Sequence, residues 1–530
     1  MNDLKWWQTG IIYQIYPRSF QDSNGDGVGD LEGIRSRLDY LAALGVDAIW
    51  ISPIYPSPMA DFGYDVADYQ NIHPLFGDLE AFDRLLAEAH KRGLRVILDY
   101  VPNHSSDQHP WFLESRSSRV NPKADWYIWR DPSPEGGPPN NWQALFGGPA
   151  WEWDEARGQY YLHLFLKEQP DLNWDNPDLK AAMLEVLHFW LKRGVDGFRM
   201  DVVTFCCKHP AFPDNPALKP NPAGWGDYDH RYDINQPEVH HLLKDFRALF
   251  EAYPGDRVTI GETWFEDPRE LASYYGQNLD ELHMPFNFQL IPLPWEAGQM
   301  RRVIEAYYAA LPPGAQPNFV LGNHDKDRPA TRYGYINHRA AAMLLLTLWG
   351  TPTLYYGDEL GMENIQVAPE DQQDPYGRRV PGEGRDGERS PMQWEGGENA
   401  GFCPPGVKPW LPLASNAGER NVLRQALDEG STLSFYKRLI ALRRALPALH
   451  LPGDFRFLDG LPESVLAYRR QVEGQNLLVA INFGEEALLL NLGTGTAERL
   501  LSTERTAEGQ PVDLGSALLL GHEACLFKLG

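Results

Sequence analysis

Three features of this 530-residue chain predict an α/β fold: a (β/α)8 TIM barrel with an inserted subdomain after strand three and a C-terminal antiparallel β domain. Short β-branched or apolar runs alternate with amphipathic helical stretches over the first 440 residues, which is the pattern of a parallel sheet covered by helices. About eight such units close into a barrel. Beyond residue 450 the helices stop, and short alternating runs such as SVLAYRRQ, NLLVAINF and ACLFKL read as antiparallel strands.

Taken in order, strands are expected at 11–17, 48–54, 95–101, 197–203, 257–263, 282–288, 318–324 and 353–357, the sixth having the weakest pattern. Stretches 31–44, 79–92, 179–193 and 340–348 carry apolar residues at helical spacing between them. Three connections after strands are too long for simple loops: 104–169, rich in Pro, Gly and Trp, then 204–238 and 358–391. The expected division is a catalytic barrel in two parts, 1–103 and 170–450, an inserted subdomain at 104–169, and the β domain at 451–530. The long loops crowd the C-terminal face of the barrel, where active sites of this fold sit.

Composition narrows the function. With 48 Lys plus Arg against 73 Asp plus Glu the formal charge is −25, which disfavours nucleic acid and anionic membranes as partners. The four cysteines, Cys206, Cys207, Cys403 and Cys525, lack CxxC spacing and suggest neither zinc nor a disulfide framework. The longest apolar stretch, around 340–346, is far too short to span a bilayer, and the first residues lack the look of a signal peptide. The expectation is a soluble, cytoplasmic protein of unspecified oligomeric state, whose many aromatic residues suit the stacking of flat ligands such as sugars.

The predicted strand ends carry charges that packing does not require: Asp99 and His104 in DYVPNH, Arg199 and Asp201 in GFRMDVV, Glu262 in GETW, His324 and Asp325 in GNHD. Burying an unpaired charge is costly, so these groups should converge on one another or on a ligand. Two carboxyls flanking a bond is what glycoside hydrolysis needs, and a third can stabilise an oxocarbenium-like transition state. Arg199, two residues before Asp201, should share its strand face and keep it ionised as a nucleophile requires. Glu262, without a basic neighbour in sequence, is expected to be raised by desolvation, as a general acid requires.

At this point the sequence resembles glycoside hydrolase family 13, the α-amylase family, in the branch of oligo-1,6-glucosidases and α-glucosidases. The resemblance spans nearly the whole chain, through IIYQIYPRSFQDSNGDGVGDLEGI, DFGYDVADY, DYVPNHSS, QPDLNW, GFRMDVV, GETW, LGNHDKDR and RSPMQW. It implies Asp201 as nucleophile, Glu262 as general acid/base and Asp325 as transition-state stabiliser. It implies His104, His324 and Arg199 around the sugar at the cleavage point, and Asp61, Tyr64 and Arg389 at the closed, non-reducing end of the pocket. Arg385, four residues before Arg389, stands in a similar context. Phe146, Phe165 and Gln169 match pocket-wall positions, and Val202, directly after the nucleophile at the strand end, matches a position where Val accompanies α-1,6 and Thr α-1,4 specificity.

The implied activity is an exo-acting retaining α-glucosidase, releasing glucose from short oligosaccharides or disaccharides through a covalent glucosyl-enzyme. The alternative is a transglucosylase, sucrose isomerase or trehalose synthase using the same residues, with no organic cofactor in either case. The segment DSNGDGVGD repeats oxygen donors at every second position. Asp22, Asn24, Asp26, Asp30 and the Val28 carbonyl form a hard-oxygen set suited to a structural Ca2+, or to Mg2+. Gly33 stands where an EF-hand loop has its bidentate glutamate.

Overall fold

The computed structural model describes residues 4–380, 382–505 and 508–530. Seven parallel strands form one sheet in the order Thr353–Tyr355, Ile12–Ile15, Ala48–Ile51, Arg95–Tyr100, Gly197–Met200, Val258–Gly261 and Met284–Pro285. The expected strand at 318–324 survives only as parallel bridges, Phe319 to Asn287 on one side and Val320 to Thr353 on the other. Those two bridges join the sheet's edges and close the barrel.

Strand side chains divide by alternate position, as the pleat requires. Ile12, Trp50, Ile97, Ile260 and Met284 form one buried cluster. Tyr13, Ile49, Ile51, Val96, Leu98 and Phe198 belong to another, which also holds the helix residues Leu85, Leu187 and Phe246. The first set faces the barrel interior and the second the helical shell. Every strand is shorter than its apolar run suggested, because the C-terminal ends of the runs turn into loops that carry the polar groups.

The helices follow their end signals. Helix Pro177–Arg193 starts with Asn176, whose side chain accepts from the Asp178 and Leu179 N–H groups, and with Pro at its first position. It stops at Gly194, which takes φ +109°, a conformation that favours glycine. The helix expected at 31–44 is two, Leu31–Ser36 and Leu38–Leu44, interrupted at Arg37.

Between the third and fourth barrel strands the chain builds a small antiparallel sheet from Trp129–Arg130, Trp151–Asp154 and Gln159–Leu162. At the C-terminus, strands from Asp454–Phe457 to Ala524–Leu529 make a six-stranded antiparallel sheet, beside the pair Leu488–Leu490 and Ala517–Leu519.

Candidate active site

The site is organised around one buried guanidinium. Arg199 lies on the interior-facing side of its strand, between Phe198 and Met200, and is 1% exposed. Its Nη1 donates to Asp99 Oδ1 and Asp201 Oδ1, both at 2.6 Å, and its Nη2 to Glu262 Oε2 at 2.6 Å. A single fork thus links carboxylates from three consecutive strand ends. Glu262, without a basic neighbour in sequence, has one in space: Arg199 reaches it from 63 positions earlier in the chain. Glu262 also accepts from Trp264 Nε1 at 3.0 Å and from the Val202 N–H at 3.1 Å.

Val202 is not part of the strand, which ends at Met200. It adopts φ +36°, ψ +45° and opens a short 3-10 turn at Val203–Phe205. A β-branched residue in this left-handed region is strained, and strain of this kind clusters at functional sites. Here the turn aims the Val202 N–H at Glu262, so the residue after one carboxylate holds the other.

Burial pushes the Asp201 carboxyl well above its ordinary range, with Glu262 and Asp99 reinforcing the shift and Arg199 opposing it. Arg199 lies beside Asp201 and favours its ionised form, but the same guanidinium also serves Asp99 and Glu262, and burial works against it. Asp99, whose Oδ2 accepts from Trp50 Nε1 at 2.9 Å, is pushed up to about 6 by burial despite Arg199. Asp325 is the opposite case. Burial opposes its ionisation, but the His324 ring and the Arg385, Arg389 and Arg199 cations hold its carboxyl far below the ordinary range.

These groups open into a cavity of about 470 Å³. Asp61, Tyr64, His104, Phe146, Phe165, Asp201, Val202, Glu262 and Asp325 all line it. Behind this wall stand three more expected residues. Gln169 donates to Asp61 Oδ2 at 3.2 Å and lies 3.0 Å from His104 Nε2. His324 Nε2 is 2.7 Å from the Tyr64 hydroxyl, with the two rings stacked 5.4 Å apart, and its Nδ1 meets Gln14 Nε2 at 2.8 Å. Arg199 completes the set. Burial drives His104 and His324 each down to about 3, so both are neutral near pH 7, with the ring nitrogens engaged by Asn103 and Gln169 in the first and by Gln14 and Tyr64 in the second.

Arg389 is corrected. Arg385, not Arg389, lines the cavity, donating to Asp61 Oδ1 at 2.7 Å and Asp325 Oδ1 at 3.1 Å while Asp374 holds it from behind at 2.8 Å. Arg389 lies one layer deeper, 1% exposed, with Nη2 on Asp325 Oδ1 at 2.6 Å and Nε on the His324 carbonyl at 2.7 Å. Two arginines four residues apart in a loop carry no signal of which one faces a cavity. The Asp61–Arg385 pair closes one end, under the rings of Phe146 and Tyr376 at 4.9 Å.

Sequence reasoning missed Trp264, Tyr376, Phe205, Trp225 and Lys326, all lining the cavity from loops. None has a periodic pattern around it. The only available signal was that each follows a strand end or falls in one of the long loops.

The segment 22–30 lies on another part of the surface and ties itself together. Asp22 Oδ1 accepts from the Asn24 and Gly25 N–H groups, Asn24 Oδ1 from Asp26, Asp26 Oδ1 from Val28, and Asp30 Oδ1 from Gly33. Gly27, at φ +86°, sits where a Cβ would lie 2.2 Å from the Lys408 carbonyl. The donors are all oxygen and fit a hard cation in kind. Among the described residues, however, no three His, Cys, Asp or Glu side chains come together in a metal-holding group.

Paired carboxyls bridged by one arginine, set at the C-terminal face of a barrel in a cavity closed at one end, define a glycosidase-type site. The chain belongs to the α-amylase family, glycoside hydrolase family 13: residues 14–451 match the family described as alpha amylase, catalytic domain. Residues 461–527 match a domain of unknown function, DUF3459. The chain is 44% identical over 506 residues to a probable alpha-glucosidase of Rhizobium meliloti (strain 1021), covering 92% of this chain and 90% of that one. It is 38% identical over 566 residues to the oligo-1,6-glucosidase of Parageobacillus thermoglucosidasius, covering 99% of each. Among solved structures, the alpha-glucosyl transfer enzyme XgtA superposes with a TM-score of 0.92 at 43% identity, covering 99% of this chain and 100% of that one. The trehalulose synthase MutB of Pseudomonas mesoacidophila MX-45 gives 0.91 at 37% identity, covering 99% of each.

Proposed function

We propose that this glycoside hydrolase is an exo-acting, retaining α-glucosidase that removes glucose from the non-reducing end of short α-glucosides. The observation that carries the exo reading is the Asp61–Arg385 pair, 2.7 Å apart, in the wall of the cavity that also holds the three carboxyls. Asp201 attacks the anomeric carbon and forms a glucosyl ester, while Glu262 gives a proton to the leaving oxygen and then takes one from water. Asp325, held ionised by the cations around it, stabilises the positive charge that develops on the ring. Tyr64, His104 and His324 orient the glucose, with Phe146, Phe165 and Gln169 shaping its pocket; Arg389 acts only through Asp325. One fork spanning Asp201 and Glu262 suits the close spacing of double displacement, about 5–5.5 Å between carboxyls.

A second reading, transfer of glucose to a sugar hydroxyl instead of to water, is favoured by the likeness to XgtA and MutB. One experiment separates the readings. Maltose, isomaltose, sucrose and trehalose are supplied at low and high concentration, and products are followed by chromatography and by proton NMR before mutarotation. Glucose released first as the α-anomer is the expected result. Initial β-glucose overturns double displacement, and disaccharide isomers as main products select the transferase reading.

We also propose that segment 22–30 is a structural cation clip for Ca2+, or Mg2+, with no part in the chemistry. The alternating oxygen donors support this. A thermal midpoint raised by added Ca2+ and lowered by a chelator is expected; a midpoint indifferent to both removes the cation. We place the protein in the cytoplasm. All four cysteines are free thiols, and among the described residues no helix is long and apolar enough to cross a membrane.

A further inference from the structure

Asp61 stands in the wall of the catalytic cavity, on a loop whose backbone is strained on both sides of it. The loop follows the second barrel strand, Ala48–Ile51. Met59, at φ +66°, and Phe62, at φ +46°, both lie in the left-handed region. Neither is a glycine, asparagine or aspartate, the residues that tolerate that region. Strain of this kind lasts only where the surroundings over-determine the backbone, and it gathers at ligand-holding positions.

The contacts that hold this loop converge on one fully buried carboxylate, Asp65. Its Oδ1 accepts from the Asp61 N–H at 2.9 Å and from the Ser57 hydroxyl at 2.8 Å, and its Oδ2 accepts from the Ala60 N–H at 2.9 Å. Ser57 Oγ accepts in turn from the Met59 N–H at 2.9 Å. Asp65 thus ties residues 57–61 into a ring that ends on the backbone of Asp61. Burial pushes its carboxyl up to about 6 against the pull of these donors, so it is ionised at pH 7. Arg18 pins the two strained residues from their side chains, with Nη1 3.7 Å from Met59 Sδ and the guanidinium 4.9 Å from the Phe62 ring centre. Arg385 and Gln169 reach only the far end of Asp61, at its two carboxylate oxygens.

We propose that Asp65 is a positioning residue for glucose binding: its buried carboxylate fixes the backbone of Asp61, and so fixes where the Asp61 carboxylate meets the sugar. The proposal rests on the α-glucosidase reading for the identity of that sugar. Asp65 then acts through Asp61 alone. Asp61 grips the glucose before and during reaction alike, so a fault at Asp65 appears in KM more than in kcat.

The test is a double-mutant cycle, read by calorimetric titration with the glucose-shaped inhibitor 1-deoxynojirimycin beside isomaltose kinetics and thermal midpoints. Asp61→Ala should weaken inhibitor binding by about 10- to 100-fold, the loss expected for hydrogen bonds to a charged group. Asp65→Asn keeps the shape but offers one acceptor oxygen where the loop uses two. It should weaken binding by about tenfold and raise the isomaltose KM in step, with a much smaller change in kcat. In the Asp61→Ala background the same substitution should add less than about twofold. Ser57→Ala removes one neutral donor; it should weaken binding by about two- to fivefold, again only where Asp61 is present, and it carries the test if Asp65→Asn does not fold. Equal weakening in both backgrounds, or a lowered thermal midpoint with unchanged inhibitor affinity, overturns the proposal while leaving the α-glucosidase reading intact. If the cycle holds but isomaltose and maltose are not cleaved, the α-glucosidase reading has failed and the positioning of Asp61 stands. A wild type that does not bind the inhibitor overturns both.

Discussion

Arg199 and Arg443 are both fully enclosed, and they are satisfied in opposite ways. Arg199 meets three carboxylates, Asp99, Asp201 and Glu262. Arg443, on helix Thr432–Ala445 where the barrel meets the C-terminal domain, meets only main-chain carbonyls, those of Leu346, Leu348 and Gly350. Nearby Arg470 likewise donates to the carbonyls of Ala448 and Leu451. Burial, with Arg470 adding to it, pushes Arg443 down to about 9, still protonated at pH 7. At the site the acids outnumber the arginine that links them, leaving charge available for chemistry. At the seam the cation is a fixed donor that ties down carbonyls left over at the end of helix His338–Thr347, and it has no chemical task.

Removing groups from the first region should cost rate, and from the second, stability. Asp201→Asn keeps an acceptor for Arg199 but cannot form the glucosyl ester. Turnover is expected to fall by about 10³-fold or more while thermal unfolding stays close to wild type. Glu262→Gln should lose about 10²–10⁴-fold on natural glucosides and far less on aryl glucosides with good leaving groups, which need little protonation. Equal losses on every leaving group would reverse the assignment of roles. Steady-state kinetics beside calorimetry checks both variants.

Arg443→Met inverts the pattern. It leaves three buried carbonyls without donors, at a cost of about 3 kcal/mol or more in unfolding free energy. Its kcat/KM on isomaltose, measured well below the lowered midpoint, should stay within about twofold of wild type because no contact of Arg443 reaches the cavity. A variant that loses rate but not stability would show the two regions to be coupled.

What the sequence made readable follows the same division. Charged residues at the ends of apolar runs stood out because burial makes them anomalous, and Asp201, Glu262 and Asp325 all line one cavity. The barrel was readable from alternation. Strand ends were not, because the residues that finish each run, such as Asp201 and Val202, are turned away by the loop they begin. Choosing Arg385 over Arg389 required the path of the loop at 374–389, where Asp374 and Asp386 fix the turn. Arg443 could not have been singled out: an arginine late in a helix normally faces water or a carboxylate.

A smaller effect concerns buried groups that must stay neutral. His109 accepts the Trp111 N–H at Nδ1, at 3.0 Å, and burial pushes it down to about 3. The unfolded chain binds its proton near pH 6.5 and the folded one does not. Stability is therefore complete above pH 6.5 and is lost as pH falls from there toward 3, by about 1.4 kcal/mol per pH unit for each such histidine. His109→Asn preserves the cap acceptor and removes the titration. Its thermal midpoint should decline less than that of wild type between pH 6.5 and 4.5, and parallel curves would show that His109 takes up its proton in the folded state.

The finest test of the catalytic region is Val202→Thr. Val202 lines the cavity beside Phe165 and Phe205, holds Glu262 through its N–H, and sits at φ +36°. Threonine is β-branched as well, so it bears the same left-handed strain and leaves the N–H in place. What changes is one methyl for a hydroxyl on the leaving-group side of the glucose. A hydrogen bond from that hydroxyl to the departing sugar contributes about 0.5–1.5 kcal/mol, a factor of about two to twelve. The wild type is expected to cleave isomaltose at least as well as maltose, and Val202→Thr to raise the maltose-to-isomaltose ratio of specificity constants by that factor. Both constants falling together, with the ratio fixed, would mean that position 202 acts only by holding Glu262. A wild type inert on isomaltose would assign linkage choice to the long loops at 204–238 and 358–391, which bring Phe205, Trp225, Tyr376 and Arg385 to the same cavity.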